Sequence, residues 1–267
     1  MRRDLITEFP AITPQIRSGI SRLTILSSML GGVLIGGVAC ASNGNVTPVQ
    51  AAGGLTTNDI AILNFALQLE YLEAEFYSNA TGNGNLPAGM TSGTGNAGAT
   101  TGGTAVNFTD SVTGQIASEI YTDEKGHVTL LRSVLGTSAV AKPAINLAAL
   151  GANTGAMNQF LVLSRAFEDT GVTAYGGAAG GLVDNATILT AAATILAVEA
   201  YHAGSIRTLI VQQGISVTPP GALDGKDILP SAAQYFPANA ATNFTAQTRT
   251  VAEVIAIVKP FFPNGLN

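Results

Sequence analysis

At 267 residues the chain is long enough to bury one ordinary domain with terminal extensions, and no break in composition divides it further. Hydrophobic residues make up 46% and charged residues only 11%, which excludes charge-driven disorder, and the 31 glycines follow no collagen-like period. Twelve Lys and Arg against 17 Asp and Glu give a formal charge of −5, which excludes a sequence-independent nucleic-acid binder; a single Cys excludes a disulfide framework, a zinc knuckle or a dithiol centre. Only two histidines occur, so their positions are informative.

Residues 1–51 read as an export signal and linker. Arg2, Arg3, Arg17 and Arg22 precede an uncharged apolar stretch from Leu23 to Ala41, and small residues at Ala39-Cys40-Ala41 or Val49-Gln50-Ala51 suit cleavage. The rest of the chain is therefore expected in the periplasm or outside the cell. Membrane attachment is expected only through this segment, as an uncleaved helix or by a lipid on Cys40.

Residues 52–214 carry four helical patterns. The first runs from about Asn58 to Tyr77, with Thr57, Asn58 or Asp59 as its cap and Ile60, Leu63, Leu67 and Phe76 on its apolar side. An uncharged Gly- and Thr-rich segment, 78–109, follows and reads as a long flexible loop, because no phosphate-binding GK[ST] closes it. Asp110 caps the second helix, about Ser111 to Leu135, which Gly136 ends. The third spans about Gly155 to Ala174, with Gly176-Gly177 through Gly180-Gly181 as its stop. Asp184 or Asn185 caps the fourth, which reaches Gln213. No stretch between 58 and 214 alternates as a strand would, so the fold class is all-α. Prolines 219, 220, 230 and 237 make residues 215–267 an extension that packs on the helices. It ends in a short helix at Thr250 to Val258, where Thr250 and Glu253 have capping-box form.

Both histidines follow a glutamate by three residues: Glu124 and His127 on the second helix, Glu199 and His202 on the fourth. Positions i and i+3 share a helix face, so each carboxylate and imidazole can grip one metal ion. The first and third helices repeat another pair, Glu70 with Tyr77 and Glu168 with Tyr175, at a seven-residue spacing that returns to nearly the same face. A Glu from each of two helices and a Glu-x-x-His from each of two others is the ligand set of ferritin-like dinuclear carboxylate bundles. Mixed carboxylate and imidazole donors suit iron or manganese, and a pair of such ions handles dioxygen or peroxide.

The run Leu69-Glu70-Tyr71-Leu72-Glu73-Ala74-Glu75-Phe76-Tyr77, with Phe167 through Tyr175 and Ala197 through His202, resembles the exported ferritin-like proteins related to plant desiccation-associated protein. The resemblance covers about residues 58–214. It implies a ferritin-like four-helix bundle holding two iron or manganese ions on Glu70, Glu124, His127, Glu168, Glu199 and His202. Asp123 stands where relatives of this type carry a carboxylate that holds a histidine of the opposite helix, while Val198 departs from that pattern. Glu73 lies on the Glu70 side of its helix and can supplement it, although the third helix has Gly171 at the matching place. Tyr77 and Tyr175 are expected beside the site as hydrogen-bond donors or electron relays, or else as core filling. Glu75 is expected to be solvated, and Arg132 and Arg207 to form inter-helix salt bridges.

Two functions compete. One is an exported enzyme that oxidises metal or consumes peroxide, with small oxygen species as substrate and a homodimer as a possible assembly; the other is a non-catalytic metal-binding or desiccation-protective bundle. A manganese pair that disproportionates peroxide needs no separate electron donor, which suits a chain without a rubredoxin-type cysteine cluster.

Overall fold

The computed structural model describes residues 54–149, 155–217 and 224–267. The segment expected to direct export, with Cys40 and both expected cleavage positions, lies outside the described residues.

Four long helices dominate. The first, α1 (Thr57–Ala80), starts one residue before the expected caps: Thr56 accepts from the Asp59 N–H at 3.1 Å, and Asp59 accepts from the Thr56 N–H at 2.9 Å. A single turn, α2 (Ala88–Thr91), follows, then α3 (Ser111–Leu135), capped by Asp110 and closed at Gly136, whose φ is +54°. After α3 come α4 (Met157–Ala178) and α5 (Ala186–Gln212), the latter capped by Asn185. Along its length α1 packs on α3, and α4 packs on α5. Between the pairs lie fully buried apolar side chains such as Leu67, Leu72, Ile120, Leu161, Ile188 and Ile206, each worth about 1.5–3 kcal/mol of burial. Phe76 stacks on Phe160 at 5.4 Å and meets Phe167 edge-on at 4.9 Å, which ties α1 to α4 above the polar centre.

Gly176 and Gly177 do not stop α4. A Cβ at Gly177 would fall 2.0 Å from the Arg249 carbonyl oxygen, and the Arg249 N–H donates to the Thr173 carbonyl at 3.0 Å. These glycines let the C-terminal segment lie against the helix; the helical path ends instead in a 3₁₀ turn at Ala179–Leu182.

The Gly- and Thr-rich segment also departs from expectation. Backbone hydrogen bonds join it to residues 139–147, and strand β1 (Thr100–Thr101) pairs in parallel with β2 (Ile145–Asn146). A Cβ at Gly98 would lie 2.2 Å from the Ala144 nitrogen, so glycine here permits close approach of two backbones rather than freedom. This layer covers Glu75, which is fully buried rather than solvated: it accepts from the Leu86 N–H at 3.3 Å and sits 3.6 Å from the Lys142 ammonium. Burial pushes the Glu75 carboxyl up, against the pull of Lys142.

The C-terminal extension ends in α6 (Val251–Val258), with the Thr250–Glu253 capping box in place. It is fastened to α4 by the Arg165–Asp227 ion pair and by the Arg249 guanidinium, which donates to the Thr173 hydroxyl, and it is braced internally by Arg249–Asp224. Asn267 reaches Gln68 of α1, Asn96 and Ala141. Arg207 forms the inter-helix ion pair expected of it, with Asp169 at 2.6 Å, whereas Arg132 instead donates to the Tyr71 hydroxyl and the Ser92 carbonyl.

Candidate metal centre

Each long helix sends at least one glutamate into the space between the two helix pairs, and α1 sends two. Glu70, Glu124, Glu168 and Glu199 are completely buried, and His127 and His202 are only 7% and 6% exposed. The side chains form two overlapping groups, Glu70, Glu124, His127 and Glu199, and Glu124, Glu168, Glu199 and His202. Within each group one donor atom per residue lies within 4.8 Å of all the others, so either can hold a metal ion. Glu124 and Glu199 belong to both.

The local geometry shows how the sharing arises. Glu124 Oε2 is 3.3 Å from His127 Nδ1, and its Oε1 is 3.0 Å from His202 Nδ1, so one carboxylate spans the two imidazoles. Glu199 Oε1 reaches across to His127 Nδ1 at 3.3 Å. Glu70 and Glu168 each serve one side, at 3.1 Å from His127 and 3.2 Å from His202. The two rings lie 6.3 Å apart.

Both tyrosines are at the site, and they cross between helices. Tyr77 of α1 donates its hydroxyl to Glu168 Oε1 of α4; Tyr175 of α4 donates to Glu70 Oε1 of α1 at 2.5 Å. Burial and the adjoining carboxylates push both phenols well above their ordinary range, so they remain donors. One oxygen of each outer glutamate is thereby occupied, and the other faces its histidine. Behind His202, Nε2 meets Asp123 Oδ2 at 3.1 Å; a proton on Nε2 leaves the Nδ1 lone pair facing the carboxylates. At the equivalent place on α5 stands Val198.

Glu73 is 4% exposed and joins the cluster as a fifth carboxylate. The matching residue on α4 is Gly171, and its missing side chain has a use that spacing alone does not reveal. A Cβ there would lie 2.4 Å from Glu199 Oε2 and 3.4 Å from Glu73 Oε1. The Glu199 carboxylate therefore rests against bare backbone.

Five glutamates and two imidazoles are crowded into the buried centre, more carboxyl groups than imidazoles to pair with them. Burial pushes Glu73 and Glu199 well above the carboxylate range, and the neighbouring glutamates push them further. Glu70 is raised to about 7 by burial, against the attraction of His127. Burial also acts upward on Glu124, but its contacts with both histidines outweigh it and bring the group below the ordinary range. Burial favours neutral histidines, yet the carboxylates around His127 and His202 outweigh it and raise both. Glu124 Oε1 and both Glu199 oxygens accept no well-directed hydrogen bond despite complete burial. Unsatisfied buried oxygens converging with two imidazoles are the donors a cation would satisfy, displacing the protons these carboxyls otherwise hold, so the residues present fit a metal.

Residues 58–212 match the family model of a ferritin-like domain. No curated protein and no solved structure matches the chain.

Proposed function

The chain belongs to the ferritin-like domain family, and from that premise we propose that it is an exported protein with a dinuclear iron or manganese centre acting on peroxide or dioxygen. The observation that carries this reading is the sharing of Glu124 and Glu199 between two four-residue groups, each with a histidine and an outer glutamate of its own. A bound pair of such ions supplies reversible electron transfer beside a small oxygen species.

The chain's own residues set the conditions for that chemistry. Glu70 with His127 would hold one ion and Glu168 with His202 the other, while Glu124 and Glu199 would reach both. Tyr77 and Tyr175 orient the outer glutamates, so one oxygen of each faces inward without a search through rotamers. Burial of every glutamate in the cluster excludes bulk water and strengthens each electrostatic contact. Glu73 stands outside both groups and offers a carboxyl that can hold a proton beside Glu199.

Elemental analysis after separate loading with iron and manganese tests the binding, and consumption of peroxide and dioxygen by each loaded form tests the reaction. Metal bound without turnover would retain the centre and refute the redox reading. Failure to bind either metal would refute both. Fractionation of cells expressing the full chain, with intact mass of the recovered protein, tests export and cleavage.

A further inference from the structure

A cavity lies away from the carboxylate cluster, on the outer side of α4 and α5 beneath the C-terminal extension. Its volume is about 190 Å³, somewhat above the roughly 150 Å³ of an apolar cavity that accepts benzene. Val172 of α4, Ala200 and Ala203 of α5, and Ile228, Phe236 and Pro237 of the extension supply its apolar wall. Phe236 is 60% exposed, so a guest at this place would bury its ring.

The polar groups around the cavity define what kind of guest it takes. Arg207 is bound to Asp169 at 2.6 Å and to the carbonyls of Ile228 and Tyr235. Arg165 bridges Asp169 and Asp227, Arg249 holds Asp224 and Thr173, and Lys226 pairs with Glu253. Four cations thus meet four carboxylates. An ionised ligand would have to displace one of these partners and leave a charge unmatched, whereas a neutral apolar molecule enters without disturbing them.

We propose that this cavity binds a neutral, largely apolar organic molecule about the size of one or two fused rings. It is separate from the candidate metal centre: none of the clustered glutamates or histidines lines it. The two share a wall, however. Ala200 and Ala203 face the cavity while Glu199 and His202 face the centre, so a guest rests against the same turn of α5 that carries two of the clustered residues.

Indole is a suitable probe, titrated into the metal-free and the metal-loaded full chain by calorimetry and by amide chemical-shift mapping. The expected result is saturable binding in both forms, with shifts centred on Val172, Ala203 and Phe236. Val172→Phe should fill the cavity and weaken binding by about tenfold or more. Because a core-facing change can disturb folding, Ala246→Phe, at an exposed residue of the opposite wall, is the second filler and should act in the same direction. Tyr201→Ala, on the neighbouring outer groove of α5, should leave binding unchanged. Absence of saturable binding, indifference to both fillers in folded protein, or loss on Tyr201→Ala would each overturn the proposal.

Discussion

The α1–α3 half and the α4–α5 half carry the same frame of glutamate, tyrosine and histidine and differ in what surrounds it. Each supplies an outer glutamate, a tyrosine seven residues later, and a Glu-x-x-His pair, and each tyrosine is spent on the glutamate of the other half. The α1–α3 half adds Glu73 where α4 has Gly171, and Asp123 where α5 has Val198. One side of the cluster therefore has an extra carboxylate facing bare backbone, and one histidine, His202, has a carboxylate behind it. Equivalent glutamates and histidines would not make equivalent ion sites, because affinity and accessibility depend on the groups that orient and crowd them.

The broadest challenge to this comparison is Glu124→Ala. It removes a carboxylate common to both groups, so bound metal should fall to below about a tenth of wild type, whereas Glu168→Ala should cost chiefly the ion of the α4–α5 half. Elemental analysis of the two variants side by side checks this; equal losses would mean that Glu124 is not shared.

Gly171→Ala comes next. The added methyl would stand 2.4 Å from Glu199 Oε2 and displace that carboxylate. Metal affinity should drop about 10- to 100-fold, with about 1–3 kcal/mol lost from stability. Competition with a chelator measures the first and denaturant unfolding the second. Wild-type affinity in this variant would show that the bare backbone is not needed.

A third test uses pH. The Glu70 carboxyl is raised from 4.5 to about 7 in the folded chain, so its stabilising contribution is complete below the unfolded value and disappears as pH rises through 7. His127 and His202 are also raised, and their contributions likewise fade as pH climbs. The metal-free protein should thus be less stable at about pH 8 than at about pH 5. Bound metal replaces protons on the same oxygens and should flatten or invert that slope. Thermal unfolding across this range, with and without manganese, reads both.

The smallest effect is expected from the groups behind the histidines. Asp123 is half exposed, so Asp123→Asn should weaken metal binding by about tenfold at most, the low end for such partners. Val198→Asp should place a carboxylate on α5 where α3 carries Asp123 and bring the halves closer in affinity. A calorimetric titration that resolves two binding steps would show them converge.

Much of the polar centre was legible in the linear order of residues because helical geometry is local. Three-residue and seven-residue spacings put Glu124 with His127, Glu199 with His202, Glu70 with Tyr77 and Glu168 with Tyr175 on common faces, whatever packs against them. Caps were similarly readable: Asp110, Asn185 and Thr250 act on N–H groups two or three residues away. Other positions depended on partners distant in the chain. Glu75 is buried because residues 85–100 and Lys142 fold over it, and Gly176 and Gly177 stay helical because the segment at Arg249 fills the space beside them. Which glutamate each tyrosine holds, and why Gly171 lacks a side chain, follow from contacts between α1, α4 and α5. Sequence by itself thus determined which glutamates, histidines and tyrosines share a helix face, since that is set within two turns of one helix. Only the tertiary structure decided which carboxylates are shared and which are crowded, because sharing is a property of four helices brought to one point.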